Sequence, residues 1–192
     1  MDVINMGNRM KVLSFLMIAA LLASCNMKSN NEKETKNTNE VETVKTAVAV
    51  LSSASGSNVN GEAKFTQVEN GVKMQVTVKE ISPGPHAIHL HGKGDCSAPD
   101  ASSAGGHWNP TGDMHGKPGE GEHHAGDIDN IIAKKDSTAQ FEIVMENWTI
   151  GDGSKSDILG KSVIIHAGPD DFESQPSGAA GARIACGVIE EL

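Results

Sequence analysis

The sequence predicts an all-β domain, an antiparallel sandwich or barrel of eight short strands. Three observations support this fold class. Short runs alternate apolar and polar residues with a period of two, which is typical of strands that have one face in a core. No comparable run has helical spacing. The 21 glycines and the low aromatic content favour many tight turns and long loops.

The clearest strand is Gly71–Lys79, in which every second residue from Val72 to Val78 is apolar and faces a core. Seven other segments have a strand pattern, and polar, glycine-rich turns join them: 47–51, 61–67, 86–91, 128–133, 139–145, 161–166 and 184–189.

Two connections are too long for hairpins, Gly92–Gly126 and Ala167–Arg183. Neither has a periodic pattern. A structureless loop of that length in a small domain is usually functional and pinned to the rest of the fold. We therefore expect both connections to be functional loops.

The first 45 residues are expected to lie outside this domain, which spans 46–192. Val12–Ala23 is almost entirely apolar, too short to span a bilayer but typical of a signal-peptide core, and Met10 is an alternative initiator. The following Leu22-Ala23-Ser24-Cys25 resembles the lipobox of bacterial lipoproteins. The sequence thus predicts a signal peptide at 1–24, lipidation of Cys25 and a disordered tether over 25–45. An ordinary secretory signal with an incidental cysteine is the alternative.

The net charge and the cysteine spacing argue against two classes of protein. The net charge of −9 argues against a nucleic-acid partner. Cys96 and Cys186 are far apart and no Cys-x-x-Cys spacing occurs, which argues against a thiolate zinc site. One long-range disulfide formed in an oxidising compartment fits this pattern better.

Seven of the eight histidines fall between His86 and Asp127, and the eighth is His166. Neutral imidazole is the commonest protein ligand for zinc and copper. His89 and His91 leave the same face of a strand because they are two residues apart. Downstream lies a glycine-rich stretch with three histidines and a carboxylate, a ligand set that fits a closed tetrahedral zinc site: His107, His115, His124 and Asp127. A loop of solvated histidines is the alternative.

Four segments together resemble the signatures of the copper/zinc superoxide dismutases: Gly84–His91, Ser103–Pro110, His124–Asp127 and Gly181–Ile189. The resemblance covers about Thr46 to Glu190. It implies an eight-stranded antiparallel Greek-key β-barrel, an immunoglobulin-like sandwich, whose two long loops close over a copper and a zinc.

Residue roles follow from the resemblance by motif. It implies that copper is bound by His89, His91, His107 and His166. It implies that zinc is bound by His107, His115, His124 and Asp127. His107 would bridge both ions as an imidazolate and carry a proton in catalysis, and Arg183 would be the second catalytic group, guiding the substrate. Asp170 would hydrogen-bond to ligands of both metals, and Cys96 and Cys186 would form the intrasubunit disulfide. We expect His86 to orient the copper side and His123 to be a solvated neighbour of His124.

The implied activity converts superoxide to dioxygen and hydrogen peroxide by alternate reduction and oxidation of copper. The protein is expected in the bacterial cell envelope, lipid-anchored and facing the periplasm or the outer membrane, as an antioxidant defence. Residues 169–182 contain no lysine, so steering would rest on Arg183 and on lysines such as Lys93 or Lys117. Glu190 and Glu191 make the eukaryotic type of dimer doubtful, and the choice between monomer and dimer stays open. A non-catalytic metal reservoir and a structural β-sandwich with incidental histidines are the alternatives.

Overall fold

Strands dominate the computed structural model, which describes residues 44–192. The predicted signal peptide, the predicted lipidation site at Cys25 and the predicted tether as far as residue 43 lie outside the described residues. The strands are β1 (Thr46–Ser53), β2 (Asn60–Val68), β3 (Gly71–Lys79), β4 (Gly84–His91), β5 (Asp127–Ala133), β6 (Thr138–Met145), β7 (Ser162–His166), β8 (Arg183–Val188) and β9 (Glu190–Glu191). Within 44–192 the one helical element is a 3-10 turn at Ser102–Ala104.

The strands form one antiparallel sheet that curls into a barrel. Its order is β5-β4-β7-β8-β1-β2-β3-β6, and β9 pairs with β1. β5 and β6, the two ends of this path, contact each other, so the barrel is nearly closed. β7 returns to lie beside β4 rather than beside β6, which is the Greek-key arrangement. The predicted eight-stranded antiparallel Greek-key barrel is therefore confirmed.

Alternating burial on β3 shows which face of this strand points into the barrel. On β3, Val72, Met74, Val76 and Val78 are all buried, as their spacing predicts. Phe65 and Trp148 fill the barrel interior with their rings 6.3 Å apart. Complete burial of a large apolar side chain contributes about 1.5–3 kcal/mol, so this interior is the main source of stability.

Two features depart from the predicted layout. The strand β9 was not predicted, because its two glutamates are exposed and only backbone pairing with Ala47 and Val48 of β1 defines it. The connection 146–161 between β6 and β7 is a third long loop. Trp148 pins it to the first long loop, since its Nε1 donates to Ala125 O at 2.7 Å.

Cys96 and Cys186 form the predicted disulfide, which ties the first long loop to β8. The two cysteines are 90 residues apart in sequence. Closing a loop of this length in the unfolded chain is worth about 4 kcal/mol in the chain-entropy model.

Across residues 44–192, no helix is both long and apolar enough to cross a membrane.

Candidate metal centre

A first group of imidazoles forms where β4 and β7 lie side by side. His89 and His91 come from β4, and His166 is the last residue of β7. His107 joins them from the first long loop through an isolated β-bridge with His91. One possible ligand atom from each side chain lies within 4.8 Å of the other three. These four residues are the ones for which the sequence predicts a copper site.

A second group surrounds the carboxylate of Asp127, the first residue of β5. The Nδ1 atoms of His107, His115 and His124 lie 2.8, 3.0 and 3.4 Å from Asp127 Oδ1. Their side chains are 2%, 0% and 8% exposed, so water cannot readily take the place of a ligand. These four residues are the ones for which the sequence predicts a zinc site.

His107 belongs to both groups. Its Nδ1 faces Asp127, while its Nε2 is buried without a hydrogen-bond partner among the described residues. The His107 and His89 rings lie with their centroids 3.9 Å apart. The ring can therefore offer one nitrogen to each group, which is the arrangement that a bridging imidazolate needs.

The unpaired atoms of these groups test whether metal ions fit here. In the described part of the chain, the buried side-chain nitrogens or oxygens without a hydrogen-bond partner are Nδ1 of His89, His115 and His124, and Nε2 of His91, His107 and His166. Buried polar atoms are rarely left unpaired, so six orphaned nitrogens that all belong to the two groups indicate that these groups fit metal cations. Four imidazoles suit Cu(II), and three nitrogens with one oxygen suit Zn(II).

Protein atoms hold the opposite nitrogen of the three copper-side rings that belong to this group alone. His89 Nε2 donates to Asp170 Oδ2 at 2.7 Å, and His91 Nδ1 donates to Gly105 O at 2.9 Å. His166 Nδ1 donates to Gly181 O at 3.1 Å. Such bonds fix the tautomer and the ring orientation, and leave the other nitrogen free for a metal.

Burial keeps these ligands in the protonation state that metals require. It lowers the pKa of His89 to about 4, of His166 to about 3 and of His91 to about 2. Burial alone would raise the pKa of Asp127, but hydrogen bonds from the His107 ring and from the backbone N–H groups of Gly116 and His124 hold that pKa well below its usual range. At neutral pH the rings of His89, His91 and His166 are therefore uncharged and the Asp127 carboxylate is ionised.

Asp170, in the second long loop, contacts one ring of each group. Its Oδ2 accepts from His89 Nε2 at 2.7 Å and its Oδ1 accepts from His115 Nε2 at 3.0 Å. The backbone N–H of Phe172 adds a bond to Oδ1 at 2.7 Å. Burial alone would raise the pKa of Asp170, but these three hydrogen bonds outweigh it and lower that pKa. One carboxylate thus couples the positions of a copper-side ring and a zinc-side ring.

Arg183 lies beside the first group. Its Nη1 donates to Ala101 O and its Nη2 to Gly105 O, both at 2.7 Å. Gly105 O also accepts from His91, so the guanidinium and a copper-side ring share one acceptor. Burial lowers the pKa of Arg183, but a guanidinium stays charged in proteins. Arg183 is the first residue of β8, one residue earlier than the predicted strand start.

His86 and His123 stand outside both groups. The ring nitrogens Nδ1 and Nε2 of His86 lie 2.8 Å from His166 O and 2.8 Å from Ser82 O, so this ring touches the main chain of a copper-side residue. His123 is half-buried and donates from Nδ1 to Gly121 O at 2.9 Å. It lines a groove with Trp108 and Asn147 instead of facing Asp127.

Two lysines near the long loops differ in their surroundings. Lys93 is exposed, and its side-chain carbons pass close to Gly105, whose carbonyl holds Arg183. Lys117 forms an ion pair with Glu120 at 2.6 Å and lies 5.7 Å from the centre of the Phe172 ring. The charge of Lys117 is therefore partly neutralised.

The site also depends on groups that motif reading does not reveal. The carbonyls of Gly105 and Gly181 orient copper-side rings, and the Gln175 side chain bonds to the His115 main chain. A backbone acceptor has no residue signature, because every residue carries one. Gln175 is 60 residues from His115 in sequence, so no short motif connects the two.

A Greek-key barrel that joins four imidazoles to a three-histidine, one-aspartate cluster through a shared histidine defines a class of two-metal redox proteins. The sequence model described as copper/zinc superoxide dismutase matches residues 59–189. This chain belongs to that family.

Relatives from distant organisms agree with this assignment. A superoxide dismutase [Cu-Zn] of Caulobacter vibrioides is 39% identical over 149 residues, which are 75% of this chain and 85% of the relative. Superoxide dismutase [Cu-Zn] 2 of Aquifex aeolicus is 37% identical over 135 residues, 68% of this chain and 79% of the relative. An extracellular superoxide dismutase [Cu-Zn] of Brugia pahangi is 38% identical over 154 residues, 75% of each chain.

Solved structures share the fold. A SOD-like protein from Bacillus subtilis superposes with a TM-score of 0.67 at 33% identity, covering 73% of this chain and 96% of that one. The clock protein EA4 superposes with a TM-score of 0.68 at 33% identity, covering 77% of this chain and 94% of that one.

Proposed function

We propose that this protein is a copper/zinc superoxide dismutase of the bacterial cell envelope. The observation that carries the proposal is His107, which places one ring between two complete sets of ligands. Copper would be held by His89, His91, His107 and His166. Zinc would be held by His107, His115, His124 and Asp127. When bound, copper supplies the alternate oxidation and reduction that turns superoxide into dioxygen and hydrogen peroxide, and zinc, which has no redox chemistry, supplies charge.

His107 and Asp127 handle the proton. His107 Nε2 takes up a proton and gives it back, while Nδ1 stays beside Asp127 Oδ1. The ring is nearly completely buried, so it does not exchange that proton freely with solvent. Asp127 is ionised and accepts three hydrogen bonds, which keeps His107 in place during the cycle.

Arg183 binds the anionic substrate. Two carbonyl acceptors hold its guanidinium in a fixed position, and one of them also orients the copper-side ring of His91. A fixed positive charge is needed because the protein as a whole is acidic. A reservoir that only stores metal has no use for such a group. Lys93 adds long-range attraction, and Lys117 adds less because Glu120 pairs with it.

The envelope location is supported by sequence and by covalent structure. Val12–Ala23 and Cys25 fit an exported lipoprotein, and the lipid on Cys25 would anchor the protein to a membrane on its periplasmic or outer-membrane side. The Cys96–Cys186 disulfide fits an oxidising compartment. Glu190 and Glu191 are exposed at the C-terminal end, which argues against an apolar dimer interface there.

The test uses the full chain, solubilised in detergent and loaded with copper and zinc. Superoxide removal and metal content are measured for wild type, His89→Gln and His123→Gln. His89→Gln should lose most activity and bound copper, whereas His123→Gln should keep both because its ring lies outside the two groups. Full activity in His89→Gln would overturn the copper assignment. A wild type that binds both metals without turnover would be a reservoir.

A further inference from the structure

The side-chain amide of Gln175 forms a two-point clasp on the main chain of His115. Gln175 Oε1 accepts the His115 N–H at 2.9 Å, and Gln175 Nε2 donates to His115 O at 2.8 Å. A primary amide has one acceptor and donors at the same end, so it can satisfy both polar groups of one residue. The two bonds run in opposite directions and therefore fix the orientation of His115 as well as its position.

His115 needs such support more than the other zinc-side residues do. Asp127 begins β5, and His107 is bridged to His91 of β4. The backbone N–H of His124 is bound by Asp127 Oδ2 at 2.8 Å. His115 lies instead in a loop without strands, and both hydrogen bonds to its main chain come from Gln175 in the other long loop.

The His115 ring meets the same second loop. Asp170 Oδ1 accepts from its Nε2 at 3.0 Å, while Nδ1 lies 3.0 Å from Asp127 Oδ1. A Cβ placed on Gly178 would lie 2.8 Å from His115 Nε2, so the loop backbone packs directly against the ring. Residues 170–178 of the second long loop therefore contact both the main chain and the side chain of His115.

We propose that Gln175 is a positioning residue for zinc. It acts through His115: the clasp holds the ring with Nδ1 aimed at the zinc-side cluster and thereby slows zinc release. This inference rests on the proposed function, because it assumes that zinc occupies the cluster around Asp127. Gln175 is exposed and contacts the zinc-side cluster only through the main chain of His115, so it offers no ligand atom of its own.

The rate of zinc release tests whether the two hydrogen bonds from Gln175 help to retain the metal. Full-length protein loaded with both metals is mixed with excess 4-(2-pyridylazo)resorcinol, and the coloured zinc complex is followed with time. Gln175→Ala should release zinc about tenfold faster than wild type, because loss of a group that orients a metal ligand typically lowers metal affinity about 10–100-fold and weaker binding shows mainly in the dissociation rate. Gln140→Ala is the matched control, because Gln140 is exposed on β6 and should release zinc at the wild-type rate.

A spectroscopic readout separates positioning from general stability. With cobalt(II) in place of zinc, the visible absorption reports the geometry of the ligands, and Gln175→Ala should change its band shape while Gln140→Ala should not. Gln175→Glu keeps the acceptor for the His115 N–H and should restore part of the slow release. If Gln175→Ala has the wild-type release rate and cobalt spectrum, or only a lower melting temperature, the inference is wrong. If active wild type holds no zinc, the proposed zinc site itself is wrong.

Discussion

Arg183 and His91 donate to the same oxygen atom, the carbonyl of Gly105, at 2.7 and 2.9 Å. The group proposed to attract the substrate and a ring proposed to hold copper are thus held by the same backbone oxygen. Replacing the arginine should separate attraction from metal binding.

Arg183→Gln removes the fixed charge but should leave the copper ligands in place. We expect the second-order rate of superoxide removal to fall about tenfold or more, since local positive charge raises encounter rates with anions by at least that factor. Arg183→Lys should recover only part of the rate, because an ammonium cannot reproduce the planar fork that reaches both carbonyls. The rate is measured by pulse radiolysis and the metal content by atomic absorption. Equal rates in Arg183→Gln and wild type would remove this residue from the mechanism.

Salt should slow the reaction, because exposed charges are screened beyond about 8 Å at physiological ionic strength. Lys93→Gln should weaken this salt dependence more than Lys117→Gln, since Glu120 already pairs with Lys117. Lys134→Gln is the control: Lys134 follows β5 at the end opposite Asp127. The rate is measured from low to physiological salt. A rate that does not change with salt would contradict electrostatic steering.

Asp170→Asn should loosen both metal sites. An amide can accept from one ring, but its NH₂ group would face the second ring, whose Nε2 is also a donor. Loss of such a group typically costs about 10–100-fold in metal affinity. The neighbouring Asp171→Asn should have little effect, because Asp171 bonds only to its own loop. Competition with a chelator gives both affinities, and equal values for the two variants would count against the coupling role.

Gly178→Ala tests how closely the second loop approaches the site. Gly178 has φ +62°, and an added Cβ would overlap the Asp170 carboxylate. Gly119→Ala is the matched control, because Gly119 has φ +83° but open space around the added atom. Both variants pay for left-handed strain, of order 1 kcal/mol. Zinc retention should drop only in Gly178→Ala, and a similar loss in both would reduce the effect to backbone strain.

The metal-free protein should lose stability as the pH falls below about 6.5, the usual pKa of histidine. The pKa values of His89 and His166 in the folded protein are lowered to about 4 and about 3, so the unfolded chain binds protons first. Their stabilising contribution is complete above pH 6.5 and decreases toward pH 4, by at most about 1.4 kcal/mol per pH unit for each ring. Denaturant unfolding of the disulfide-intact apoprotein measures this. His89→Gln should make the decline shallower, and a flat profile between pH 6.5 and 4 would contradict the predicted burial of these rings.

The barrel can be predicted because a strand with one buried face alternates apolar and polar residues along the sequence. β3 shows this most clearly, since its even-numbered residues from Val72 to Val78 are all buried. The pattern fails at β9, where two exposed glutamates are held only by backbone pairing. It also fails for 146–161, a loop held by contacts that follow no period, among them the Trp148 indole bond to Ala125 O and the bond from the Ile150 N–H to Gln67 Oε1.

Motifs locate the side chains of the two ligand groups, because metal chemistry restricts which residue types can serve. They do not locate the atoms that aim those side chains. The amide of Gln175 reaches His115 because the two long loops meet, and the carbonyl of Gly105 reaches His91 because the first long loop folds back on β4. Neither contact has a local sequence signature. The structure is needed for that part of the site.

The disulfide between Cys96 and Cys186 also affects how firmly Arg183 is positioned. Cys96 belongs to the loop that supplies both carbonyls to Arg183, and Cys186 belongs to the strand that carries this arginine. With both cysteines reduced, this covalent link between the loop and the strand would be absent, and the guanidinium and its two acceptors would be joined by hydrogen bonds alone. The fixed position of Arg183 would then depend on oxidising conditions, which form and preserve the disulfide.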